Sequence, residues 1–503
     1  MKISTLRSNQ YLETSMDSLS VPMVRAVLCL SFGLFHLVMT QSVLAQTLAI
    51  VGGTVIDGTG ATPIATGIVL IDNGRISAVG RADEIAVPDD VLRVDAKGKY
   101  VIPGLMDANV HLGLSHNLSL ELLVRYENQF DEIILEAAQM ALKEGVTTVF
   151  DTWGPLPQLQ SVRDDINAGR SVGSRIFLAG NIIGLDGIFA GGWLQPGAEQ
   201  QVSAAFRDRM NQRYEQEVGT ELLAMRPDEI QSAIAAYIGK GVAFLKYSGD
   251  TQRLVGSSMI STLYFSPRQQ AAIVEAGHHA GLPVQAHIAS EEAIQVAIDV
   301  GLDIVTHGDL AVPPKTYSRA TIQRLADSGT AVSVLPFTER RLEAFEEFAE
   351  ANSQQIVWIP LYRAMRENRR AMIELGVKIL LSTDAHLRNA QLPDLIPIPW
   401  EIDAVDPDRA IGEAHFNALV ALEEDGMDLM EVLKSATSNI SEAYRVDDEL
   451  GTLESGKVAD LLILDRNPLQ SARNYRSIHM VIKDGRIIDR TELPVSAIIN
   501  PAN

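Results

Sequence analysis

Six polar residues stand where short apolar runs of this sequence end, and their types suit a divalent metal ion. Asn109 and His111 are two apart on an extended segment, which points both side chains the same way. Lys246, His287, His307 and Asp384 each follow a different apolar run. Two to three imidazoles beside a carboxylate make a donor set that fits Zn²⁺, or Mn²⁺ as the alternative, in one or two ions. One such histidine is more often a satisfied structural residue. Four polar side chains at equivalent positions of a repeated unit argue for a shared site.

The unit that positions them is a helix, a glycine and a short strand. Met140–Glu144 and Gly145 lead into Val146–Phe150 and Asp151, and Ile238–Gly241 lead into Val242–Leu245 and Lys246. The helix opened by Ser266–Pro267 closes at Gly281 before Pro283–Ala286 and His287. The helix opened by Ser290 closes at Gly301 before Ile304–Thr306 and His307, Gly329 precedes Ala331–Leu335, and Gly376 precedes Val377–Leu381. Serine before proline is a favoured helix start, and glycine is the usual residue after a helix end. Short apolar strands alternating with helices predict an α/β fold of parallel strands covered on both faces. With Tyr100–Ile102 in front and Arg175–Leu178, the count reaches eight, which predicts a TIM-like (β/α)8 barrel over residues 100–446 with function at the C-terminal strand ends. Residues 182–228, rich in glycine, glutamine and charge, are a long excursion expected to form a lid or pocket wall.

The two ends of the chain look alike. Apolar alternations flank Asn73–Gly74 near the front and Asp484–Gly485 near the back, and both dipeptides favour tight hairpins whose central residues have positive φ. Residues 46–99 and 447–503 are therefore expected to join into one small β-sandwich domain. Ahead of them, Arg25 precedes the apolar stretch Ala26–Val43, which exits through Val43–Leu44–Ala45. That is the pattern of a secretory signal peptide over 1–45, cleaved after Ala45, and it predicts a periplasmic or secreted protein without stable membrane insertion. Cleavage would also remove Cys29, the only cysteine, and leave a thiol-free chain that excludes thiolate metal sites and Cys–His nucleophiles. The net charge of −22 disfavours nucleic-acid partners. A small-molecule substrate is expected, and a homo-oligomer is compatible with the composition.

These residues, with Val101–Ile–Pro–Gly–Leu–Met–Asp107, Ser382–Thr–Asp–Ala385 and Gly451–Thr–Leu–Glu–Ser–Gly–Lys–Val–Ala–Asp460, resemble the amidohydrolase superfamily, in its exported imidazolonepropionase- and prolidase-like branch. The resemblance spans nearly the whole mature chain. It implies that His111 and Asp384 hold one metal, that His287 and His307 hold a second, and that Lys246 bridges both as a carboxylated lysine. Independently, a lysine facing a barrel mouth has its charge disfavoured by burial, and a neutral amine can capture carbon dioxide. Asn109 departs from the family's usual histidine. A similar Asn-x-His pair marks a subgroup resembling the phenylurea hydrolases, which cleave urea-type C–N bonds.

The mechanism implied is attack of metal-activated hydroxide on the carbonyl of an amide, dipeptide, urea or carbamate, with Asp384 as catalytic proton shuttle. No Gly-x-Ser-x-Gly elbow supports a serine nucleophile. Tyr247, His116, His386, Trp153 and Trp193 are candidates for substrate contact, although alternation along the strand points Tyr247 away from Lys246. Two other readings stand beside this one. The same site could hydrolyse an ester or lactone, or the Asn109 substitution could mark a catalytically inactive binding protein.

Overall fold

A computed structural model describes residues 47–114, 120–189, 202–255, 258–351, 358–387 and 409–499. The expected signal peptide, His116 and Trp193 lie outside the described residues. Strands β1 (Leu48–Val55), β2 (Ile64–Asp72), β3 (Arg75–Arg81), β4 (Leu92–Asp95) and β5 (Tyr100–Pro103) open the chain. Then follow β6 (Leu105–His111), β7 (Val146–Asp151), β8 (Arg175–Leu178), β9 (Leu245–Ser248), β10 (Asp250–Val255) and β11 (Ser258–Leu263). The series continues with β12 (Val284–His287), β13 (Ile304–Thr306), β14 (Ala331–Val334), β15 (Ile379–Leu381) and β16 (Ala385–His386), and β17 (Leu461–Leu464), β18 (Ile478–Lys483) and β19 (Arg486–Ile487) close it.

The chain ends do combine. One eight-stranded sheet runs β19-β18-β17-β5-β1-β2-β3, with β4 also paired to β1. Asn73, Gly74, Asp484 and Gly485 have φ of 49°, 78°, 50° and 72°, as the two-residue turns require. Both turns meet at Ala459, which donates its N–H to Gly74 O (2.9 Å) and accepts from Gly485 N (3.0 Å). A Cβ on Gly485 would lie 2.7 Å from Gly74 Cα, so glycine is required there. Val69, Ile71 and Ile76 from one end of the sheet share a buried apolar cluster with Leu461, Ile463 and Ile482 from the other.

Between these ends, parallel strands form two sheets, β16-β6-β7-β8 and β15-β14-β13-β12-β9. Hydrogen bonds join the sheets at both margins: Ile183 donates to Lys246 O (2.8 Å) and accepts from Ser248 N (3.1 Å), while Asp384 N donates to Asn109 O (2.9 Å). The six glycines expected to end helices, at 145, 241, 281, 301, 329 and 376, all have φ between 72° and 90°. Ser266 and Ser290 accept from the backbone N–H groups of Gln269 and Ala293, as caps should.

Two expectations need correction. Tyr100–Pro103 does not open the parallel set. It pairs with β17 and β1 in the terminal sheet, and the parallel series starts one run later at β6. Pro103–Gly104 separates two apolar runs of similar character, and only long-range pairing decides which sheet each joins. The fourth parallel strand starts at Leu245, not Val242, so Lys246 lies within it. His278 and His279 occupy the last turn of the helix Pro267–His279, and His278 Nε2 lies 2.8 Å from Asp303. Of the 182–228 excursion, the described part includes the helix Ala204–Glu215 and a 3-10 turn at Thr220–Ala224.

Candidate metal centre

The C-terminal strand ends bring Asn109, His111, Lys246, His287, His307 and Asp384 into one buried region. His111 closes β6, His287 closes β12, and His307 lies one residue past β13. Asp384 sits in the gap between β15 and β16, where the last strand leaves β14 and joins β6. His307 and Asp384 have φ of 59° and 53°. A left-handed backbone costs a non-glycine residue about 1–2 kcal/mol, and such strain gathers at functional positions.

Asp384 is the hub. Its Oδ1 lies 3.1 Å from Asn109 Nδ2, 3.0 Å from His111 Nε2 and 3.9 Å from His307 Nε2, while its Oδ2 lies 3.8 Å from Arg409 Nη1. Burial raises the carboxyl's pKa, but the charge of His307, the hydrogen bond and charge of His111 and the charge of Arg409 outweigh it and hold Asp384 well below the usual range. Burial pushes His307 down to about 3, against the pull of Asp384. Burial brings Lys246 down to about 8, against the pull of Asp384 and Asp151. The rings of His287 and His307 meet edge to face with centroids 5.2 Å apart.

Among the described residues, no three His, Cys, Asp or Glu side chains already form a cradle for an ion. The donors nevertheless fit one. Nδ1 of His111 and Nδ1 of His307 are buried with no hydrogen-bond partner, and both imidazoles lean on the same carboxylate. Imidazoles and a carboxylate gathered this closely are a donor set that suits a divalent ion.

The proposed substrate residues are distributed unevenly. Trp153 is buried edge-on to His111 (6.3 Å between centroids), with its Nε1 donating to Asn181 Oδ1 at 2.9 Å. His386 is fully buried in β16, beside the site but closed to solvent. Tyr247 faces away, as strand alternation requires; its hydroxyl donates to Gln270 on the helix Pro267–His279 (3.0 Å), which removes it from the candidates.

Sequence reasoning missed several neighbours. Asp107 accepts from the backbone N–H groups of Asn109 and Thr383 (both 3.2 Å) and from the Thr383 hydroxyl, so it ties β6 to the residue before Asp384. Burial pushes its pKa up to about 7 against those hydrogen bonds. Asp151 closes β7 in the position that carries ligands elsewhere, and that equivalence was the available signal. Burial raises it to about 6, against the charge of His111 and the N–H groups of Leu112 and Trp153. Gln252, on the β10–β11 hairpin, places its Nε2 3.2 Å from His287 Nε2. Neither Gln252 nor Arg409 belongs to the repeated unit, so no pattern marked them.

The amidohydrolase family pattern matches residues 100–488. The solved structure of molinate hydrolase is 34% identical, with a TM-score of 0.84 over 91% of this chain and 98% of that one. That of phenylurea hydrolase B is 29% identical, with a TM-score of 0.83 over 91% of this chain and all of that one. The imidazolonepropionase of Brevibacillus brevis is 24% identical over 84% of this chain and 90% of its own length.

Proposed function

Because the chain belongs to the amidohydrolase family and is an enzyme acting on C–N bonds, we propose that it is a metal-dependent hydrolase whose substrate carries an amide, dipeptide, urea or carbamate carbonyl. The likeness to phenylurea hydrolase B favours the urea-type bond. The convergence of His111 Nε2 and His307 Nε2 on one oxygen of the Asp384 carboxylate carries the reading. Its architecture would be the expected (β/α)8 barrel with a β-sandwich. Two parallel sheets joined at both margins and one terminal sheet whose two ends share a core support that view.

His111, His287, His307 and Asp384 would hold Zn²⁺, with Lys246 between them as an N6-carboxylated ligand. Such an ion supplies Lewis acidity to the carbonyl and lowers the pKa of water. The protein does the rest. Asp384 has Oδ1 committed to Asn109 and His111, which leaves Oδ2 to take the proton of attacking water and return it to the leaving nitrogen. Arg409 faces that oxygen and stabilises negative charge on it and near it. Trp153 covers one edge of His111 and limits its rotation.

Purified protein is expected to contain zinc by elemental analysis and to lose at least about tenfold of its turnover on chelation, recovering with Zn²⁺. A panel of aryl ureas, carbamates, dipeptides, N-acyl amino acids and esters identifies the bond. Protein that holds no metal and ignores chelator overturns the metallohydrolase, and turnover of esters alone overturns the C–N specificity. We also propose export, on the signal-like segment 26–45. N-terminal sequencing of protein recovered outside the cytoplasm should begin at Gln46; a sequence that begins ahead of the 26–45 segment would refute cleavage there.

A further inference from the structure

Thr152, the residue after Asp151 at the end of β7, is fully buried, and its backbone N–H donates to Val110 O at 3.1 Å. Its hydroxyl stands between two of the site's polar groups. Lys246 Nζ lies 2.9 Å from Oγ1, and Oγ1 in turn hydrogen-bonds Asn109 Oδ1. Asn109 is itself fully buried and reaches Asp384 with its other edge (3.1 Å).

Hydrogen-bond chemistry allows one direction along this chain. The nitrogen of Lys246 donates, so Thr152 Oγ1 accepts there and spends its single proton on Asn109 Oδ1. The opposite edge of Asn109 is then its NH₂, and an ionised carboxylate at Asp384 needs a donor at that place. The reverse amide orientation would set two acceptors against each other at 3.1 Å and leave the Thr152 proton without an acceptor.

We propose that Thr152 is a positioning residue: it turns the Asn109 amide so that its nitrogen orients Asp384 and its oxygen is turned away from Asp384 onto the Thr152 hydroxyl. Asn109 then steers the carboxylate and does not ligate the metal. This inference rests on the metallohydrolase reading for its kinetic consequence but not for its geometry. It gives the asparagine a role at a position where the superfamily resemblance leads one to expect histidine.

The test uses full-length holoprotein with Asn109→Ala, Thr152→Val and Thr152→Ser, read by zinc affinity in competition with a chromophoric chelator and by kcat and KM on the substrate found in the panel. All three variants should keep zinc affinity within about twofold of the parent. In Asn109→Ala and Thr152→Val, kcat should fall about 10- to 100-fold with KM within about threefold, the loss expected of a group that orients a catalytic side chain. Thr152→Ser should return kcat to within about threefold. A tenfold or greater loss of zinc affinity confined to Asn109→Ala would make Asn109 a ligand, and wild-type kcat in Thr152→Val would remove the positioning role. Neutron diffraction from the wild-type holoprotein reads the amide directly: deuterium on the edge facing Asp384 supports the proposal, and oxygen there overturns it. Wild-type protein without zinc or turnover would instead refute the metallohydrolase, with the neutron map still deciding this question.

Discussion

Asp384→Asn should lower kcat by about 10³-fold or more at saturating Zn²⁺ while leaving the folded structure intact. The carboxylate is placed so that its two oxygens differ. Oδ1 accepts from Asn109 and lies against His111, and Oδ2 faces Arg409 at 3.8 Å. An amide has the same shape and can still meet the neighbours of Oδ1, but it cannot accept a proton at the other position. The side chain lies in the left-handed gap between β15 and β16, already held by the Asp107–Thr383 bonds, so the substitution has little leverage on packing. Circular dichroism and the melting temperature should match the parent, and elemental analysis should show whether the ion stays bound. A kcat within about tenfold of the parent, with metal retained, would reject Asp384 as the proton carrier.

The second large effect is on stability. Arg369 is fully buried on the helix Trp358–Glu374, where Nη1 donates to Asp309 Oδ2 (2.7 Å) and Nε to Asp425 Oδ2 (2.5 Å). Its guanidinium also lies over the Phe337 ring, 5.0 Å from the centroid. Asp309 is two residues beyond His307 and also accepts from Leu335 N (3.1 Å). Arg369→Met would strand a buried carboxylate whose pKa burial already raises. Breaking such a pair by removing one partner costs about 3–5 kcal/mol. Chemical denaturation should show that loss, and the displaced Asp309 loop should weaken zinc retention at His307. The double variant Arg369→Met with Asp309→Asn should recover part of the loss, because it no longer leaves a charge without a partner. A single variant within about 1 kcal/mol of the parent would show that water or another cation replaces the guanidinium.

Some of this was legible from residue order. The helix-ending glycines, serine caps and paired hairpin turns are local devices, each set by the φ range or hydrogen bond that one or two residues permit. They place the ligand candidates at strand ends because the repeated unit is itself local. The site residues that the sequence concealed are those whose role depends on a distant partner. Thr152 is an ordinary residue after a strand until Asn109 and Lys246 arrive on either side of its hydroxyl. Arg409 belongs to no repeated unit of the sequence, and Tyr100–Pro103 and Leu105–His111 are alike until pairing with β17 claims the first. Sequence by itself therefore determined which residue types stand at the strand ends and that they suit an ion and a hydrolysis. Tertiary structure alone decided which edge of Asn109 faces Asp384, which oxygen of Asp384 is left open, and which strands carry them. Hydrogen-bond direction is a property of pairs, and these pairs join residues up to 275 positions apart.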